Sequence, residues 1–90
     1  MPRYVIERDL PGAGKLSHEQ LQGIAQKSCS IIEALGPSIH WVESFVTEGK
    51  IYCIYDAPNR DIILEHARQG GFPATRIEEV KNVISPLSAQ

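Results

Sequence analysis

Ile39-His40-Trp41-Val42-Glu43-Ser44-Phe45-Val46-Thr47, then Glu48-Gly49, then Lys50-Ile51-Tyr52-Cys53-Ile54-Tyr55-Asp56-Ala57 is the stretch whose reading decides the fold. Both halves are rich in β-branched and aromatic side chains, which suit a pleated, half-buried surface, and Glu48-Gly49 supplies the short turn between them. The stretch predicts a β-hairpin with strands over residues 39–47 and 50–57. Alternation places Trp41, Phe45, Ile51, Cys53 and Tyr55 on one set of positions and Val42, Val46, Tyr52 and Ile54 on the other, so both faces of the hairpin carry apolar side chains.

Upstream, Ser17 and Gln20 stand in capping-box spacing before apolar residues at Leu21, Ile24, Ala25, Cys29, Ile32 and Leu35, the period of an amphipathic helix. Gly36-Pro37 ends that helix, since Gly takes the left-handed cap conformation and Pro cannot continue the hydrogen-bond ladder. Before it, Tyr4-Val5-Ile6 marks a strand over residues 3–9, closed by Leu10-Pro11-Gly12-Ala13-Gly14. Downstream, Pro58-Asn59 caps a short helix over residues 60–69 that presents Ile62, Ile63, His66 and Ala67 on one face and stops at Gly70-Gly71. Val80 and Ile84 suggest a last strand over residues 79–85. The order β-α-β-β-α-β, with right-handed crossovers, predicts an α+β fold of the ferredoxin-like sandwich type, with a four-stranded antiparallel sheet and two helices on one face. The other sheet face is left open and apolar, which predicts a homodimer packed sheet to sheet.

Ninety residues supply one hydrophobic core, so residues 1–90 are expected to form a single domain. The composition, 42% hydrophobic and 22% charged, is that of an ordinary globular chain. A net charge of -2 and a pI near 5.9, without a basic cluster, argue against nucleic acid as a partner. No apolar run approaches the roughly 20 residues of a membrane span, and charges interrupt the N-terminus where a signal peptide would be apolar. Two cysteines, Cys29 and Cys53, form no CxxC pair and suggest buried thiols in a reducing, cytoplasmic setting.

Pro11-Gly12-Ala13-Gly14-Lys15-Leu16-Ser17 resembles a fragment of a phosphate loop but has Asp9 and Leu16 where a Walker A motif needs Gly and Ser or Thr, so it reads as a tight turn feeding the Ser17 cap. Among the histidines, His66 falls on the apolar face of its helix and is expected to point toward the sheet. Glu7 shares a strand face with Val5, and Tyr52 and Asp56 share one on the third strand; if these faces are the helix-covered ones, carboxylates and an imidazole converge in one half-buried pocket, suited to a metal ion or to acid-base chemistry. His40 and Glu43 lie three apart and point to opposite faces of an unbulged strand, which leaves Glu43 as a donor across a dimer seam. His18, beside Glu19 in the first helical turn, reads as solvated. No HxH, HxxxH or HExxH pattern occurs, so any metal site must be assembled from distant segments.

Tyr4-Val5-Ile6-Glu7-Arg8-Asp9-Leu10-Pro11-Gly12, Trp41-Val42-Glu43-Ser44-Phe45-Val46-Thr47 with Lys50-Ile51-Tyr52-Cys53-Ile54-Tyr55, and Glu65-His66-Ala67-Arg68-Gln69-Gly70-Gly71-Phe72-Pro73-Ala74 together resemble a bacterial family of small uncharacterised ferredoxin-like domains that includes a nickel-binding, nickel-responsive protein. The resemblance implies a ferredoxin-like fold, a dimer and nickel binding in at least one member. Imidazole and carboxylate donors suit Ni(II). The resulting expectation is a cytoplasmic dimeric protein that sequesters or senses nickel, with His66, Glu7, Asp56 and Glu43 as candidate ligands. Its rivals are a small-molecule enzyme using a His66/Glu7 acid-base pair and a non-catalytic ligand-sensing module.

Overall fold

Alternation along the first strand determines the inside of the molecule. In the computed structural model, which describes residues 1–90, β1 (Arg3–Asp9) buries Tyr4, Ile6 and Arg8 and turns Val5 and Glu7 to the other face. β1 pairs antiparallel with β3 (Lys50–Asp56) through seven residue pairs, from Arg3 opposite Asp56 to Asp9 opposite Lys50. The hairpin partner β2 (His40–Val46) lies outside β3, and β4 (Arg76–Glu79) lies outside β1, giving the order β2-β3-β1-β4. This is the expected four-stranded antiparallel sheet of an α+β ferredoxin-like sandwich.

Helix α1 (His18–Leu35) begins as its sequence requires: the Ser17 hydroxyl accepts from the Gln20 amide at 3.1 Å, and the Gln20 side chain accepts from the Ser17 amide at 2.8 Å. A reciprocal cap of this kind contributes about 1 kcal/mol. Helix α2 (Arg60–Gly70) is capped by the Asn59 side chain, which accepts from the Ile62 amide, and ends where Gly71 takes φ 66°. The amides of Gly71 and Phe72 donate back to the carbonyls of Arg68 and Ala67, the paired bonds of a Schellman turn. The core consists of Tyr4, Ile6, Ile39, Ile51, Cys53, Tyr55, Ile63 and Ile77 with small residues between them.

Three expectations need correction. The last strand spans Arg76–Glu79 rather than 79–85, because Ile77 opposite Ile6 supplies the inward side chain, while Val83 and Ile84 remain 77% and 84% exposed. Cys29 is exposed, and its neighbour Ser28 takes the buried place on α1. The third is in β2, where a bulge between Trp41 and Glu43 leaves Val42 unpaired and reverses the alternation of everything before it.

The Pro11–Ser17 segment works as a clasp. After a left-handed Gly12 (φ 82°), the 3-10 turn Ala13–Lys15 lies against the β2–β3 turn, with Gly14 donating to the Glu48 carbonyl and Leu10 to the Gly49 carbonyl, both at 3.0 Å. A Cβ at Gly14 would stand 2.9 Å from the Glu48 Cα, too close for a neighbour that is backbone. Gly14→Ala is therefore expected to destabilise the protein by about 1–3 kcal/mol. Gly23→Ala, on the exposed side of α1 with open space around it, should instead stabilise by up to ~1 kcal/mol. Urea unfolding midpoints of the two variants check both signs.

Candidate functional site

The helix-covered side of the sheet contains a cleft of about 440 Å³ between α1, the sheet and the loop after α2. Its floor comes from alternate positions of three strands: Arg8 of β1, Ile51, Cys53 and Tyr55 of β3, and Trp41, Ser44 and Val46 of β2. The bulge at Val42 is what brings Trp41 to this side, where its indole N–H donates to the Ser44 hydroxyl at 2.9 Å. Leu21, Ile24 and Ala25 of α1 form one wall, and Gly70, Gly71, Phe72 and Pro73 form the end. The Schellman turn sets Phe72 tightly over Gly70, where a Cβ would overlap the ring.

His66 packs beneath this cleft with no exposed surface. Its Nε2 lies 3.0 Å from the Ser28 hydroxyl, which in turn lies 3.5 Å from the Tyr55 hydroxyl. The Tyr55 and Phe72 rings flank the imidazole at 5.3 and 5.6 Å, and Nδ1 has no hydrogen-bond partner. Burial pushes the imidazole below its ordinary value near 6.5, the Arg8 charge pushes it the same way, and the Ser28 hydrogen bond opposes both. Burial likewise raises the Tyr55 phenol above 10. Arg8 itself is 4% exposed: Nη1 donates to the Pro73 carbonyl at 2.7 Å, Nε donates to Cys53 Sγ at 3.4 Å, and the Phe72 ring centre stands 5.6 Å from the guanidinium carbon.

The carboxylates expected beside His66 are on the other side of the sheet. Glu7 faces outward and accepts from Lys50 Nζ at 2.6 Å, so the His66/Glu7 acid-base pair is not formed. Asp56 also faces outward, and both its oxygens accept from Arg3, at 2.7 and 2.9 Å, which holds its carboxyl below the usual range. The helix-covered face of β1 and β3 is the opposite of the expected one: the Tyr4/Ile6 set buries larger apolar side chains than the Val5/Glu7 set, and β3 follows through its pairing. Glu43 lies on this open face next to Phe45, as expected. His40 joins it there because of the bulge, opposite Asp56, while Glu43 lies opposite Ile54. Within one chain, no group of three or more His, Cys, Asp or Glu side chains is placed to hold a metal ion. Arg8, which is not among the expected candidates, lines the cleft; its signal in the sequence is a charge at the third position of the Tyr4/Ile6 alternation.

Neutral burial of His66 couples folding to pH. The unfolded chain takes up a proton near pH 6.5 that the folded chain refuses until lower pH, so stability is complete above 6.5 and falls as pH drops below it. Denaturation midpoints should decline between pH 7 and pH 5 in the native protein, and the decline should flatten in a folded His66→Gln variant. The lowered carboxyls of Asp56 and Glu65, the latter about 2, lose protonation-linked stability only below this window.

No curated protein matches the sequence. The crystal structure of SCO4226 from Streptomyces coelicolor A3(2) superposes with a TM-score of 0.77 at 18% identity, covering 91% of this chain and 99% of the other. That likeness establishes the fold. The sequence profile of the family described as "Nickel responsive protein SCO4226-like" matches residues 4–80. With that span matched, the chain belongs to the nickel responsive SCO4226-like family.

Proposed function

We propose that this protein is a cytoplasmic nickel-binding protein, acting in nickel sequestration or sensing as a homodimer joined through the open faces of its sheets. The observation that carries this reading is the family match over residues 4–80. The open face offers a suitable seam: Phe45 is 52% exposed, and Val5, Tyr52 and Ile54 lie around it with no helix covering them. No helix of the protein is long and apolar enough to cross a membrane.

Within one chain no three His, Cys, Asp or Glu side chains are grouped to hold an ion, so a Ni(II) site of imidazole and carboxylate ligands would draw on two copies. The donors that fit best are His40 and Glu43, which the bulge places on the same open face at the rim of the apolar patch. Two copies related by a two-fold axis would contribute a pair each, with water completing the shell. Asp56 and Glu7 share that face and would join only by leaving Arg3 and Lys50. His66 is enclosed on the opposite side and would have its role in the fold instead.

Calorimetric titration of tag-free protein with nickel chloride, together with light scattering, tests the reading. Micromolar or tighter binding by a dimer is expected, weakened about tenfold or more by His40→Ala or Glu43→Ala and unchanged by His66→Gln. Phe45→Arg should yield monomers that no longer bind. A dimer that binds no nickel, or one whose affinity ignores His40 and Glu43, would remove the proposal.

A further inference from the structure

The cleft of about 440 Å³ is a positively charged chamber in an acidic protein. None of the eleven Asp and Glu residues lines it, whereas Arg8 and Lys27 do. Lys27 is exposed, with Nζ 5.7 Å from the Phe72 ring centre. Arg8 is buried and belongs to none of the ion pairs of the molecule. Its two satisfied donors meet neutral acceptors, the Pro73 carbonyl and the Cys53 thiol, and Nη2 is buried with no partner.

A guanidinium stays protonated throughout the physiological range, so it cannot shed its charge on burial as a lysine can. Neutral acceptors offset only part of the desolvation of such a charge, and a carboxylate meets its planar fork of donors with the right geometry and the opposite sign. Around Arg8 the cleft adds hydroxyls: Ser44, whose oxygen accepts from Trp41 and whose own hydrogen is free to donate, and Tyr55. Ser28 adds a third hydroxyl, and Leu21, Ile24, Val46 and Phe72 supply apolar walls. Its volume is in the usual range for small-molecule sites.

We propose that this cleft binds a small organic monocarboxylate with an apolar body, the carboxylate pairing with Arg8 at the floor and the body lying against Leu21, Ile24, Val46 and Phe72. The site is on the opposite face of the sheet from His40 and Glu43, so it stands or falls independently of nickel binding.

Trp41 is the only tryptophan and lines the cleft, so its fluorescence reports occupancy. The full chain is titrated with phenylacetate and 4-methylpentanoate, with the corresponding neutral amides, and with inorganic phosphate. Saturable responses to the acids are expected, about tenfold or more tighter than to the amides, as a charge-assisted pair requires. Phosphate should neither bind at the same concentrations nor compete. Arg8→Gln should erase the difference between acid and amide. Ile24→Glu, which keeps Arg8 and supplies the missing carboxylate from α1, should abolish acid binding even if Arg8→Gln fails to fold. No response to either acid, amides that bind as tightly as acids, phosphate that binds as tightly as phenylacetate, or acid binding unaffected by Ile24→Glu would each overturn the proposal.

Discussion

The pairing of β1 with β3 is the constraint on which the rest of the molecule depends. Seven consecutive residue pairs put β1 at the centre of the sheet, hydrogen-bonded on both edges, and side chains at odd and even positions go to opposite faces without exception. A slip of one residue would exchange Tyr4, Ile6 and Arg8 for Val5, Glu7 and Asp9 and would remove Ile6 from the core. The placement of the charged side chains of β1 and β3 follows from that parity. It puts Arg8 under the helices and leaves Glu7 and Asp56 on the open face, each held by a cation from the neighbouring strand.

The bulge at Val42 is the second determinant, and it acts on both faces at once. By removing one residue from the count it turns Trp41 into the cleft beside Ser44 and brings His40 round to join Glu43 on the open side. Without it, Trp41 would share the face of Phe45, and His40 and Glu43 would be separated by the thickness of the sheet. One unpaired residue on an edge strand thus shapes the small-molecule cleft and the arrangement of donors opposite it.

These two features also mark the limit of what the sequence makes legible. Helix caps, the Gly-containing stops and the β-rich hairpin are local signals, and Ser17, Gln20, Asn59 and Gly71 do in the structure what their types imply. The inward orientation of His66 was equally legible, because the apolar period of α2 fixes it. Face choice on β1 was not. Both alternating sets contain apolar residues and both contain charges, so composition could not separate Tyr4/Ile6/Arg8 from Val5/Glu7/Asp9, and the candidate site was assembled across a sheet that in fact divides it. The bulge had no sequence signature, since Val42 is a good strand residue. β4 differs from the expectation because a charged edge strand, Arg76-Ile77-Glu78-Glu79, needs only one apolar side chain once Ile77 meets Ile6, whereas Val80 and Ile84, which suggest a later strand, lie beyond it, Ile84 in solvent.

The isolation of Arg8 is itself a consequence of strand geometry. Its sequence neighbours Glu7 and Asp9 are both carboxylates, and on a flexible chain either could neutralise it. In an extended strand the alternation sends both to the far side, where they approach Lys50 at 2.6 and 3.5 Å instead. The strands opposite contribute Ile51 and Cys53 rather than an acid, and α1 contributes Lys27, a second cation. A strand whose only task was to fill the core would carry a third apolar residue after Tyr4 and Ile6, at no cost in desolvation. The guanidinium occupies that position at several kcal/mol of expected burial penalty, partly offset by the Pro73 carbonyl that it also fixes in place. Arg8 therefore joins two roles: it anchors the loop that closes the end of the cleft, and it leaves within that cleft a positive charge that none of the ion pairs of the chain includes.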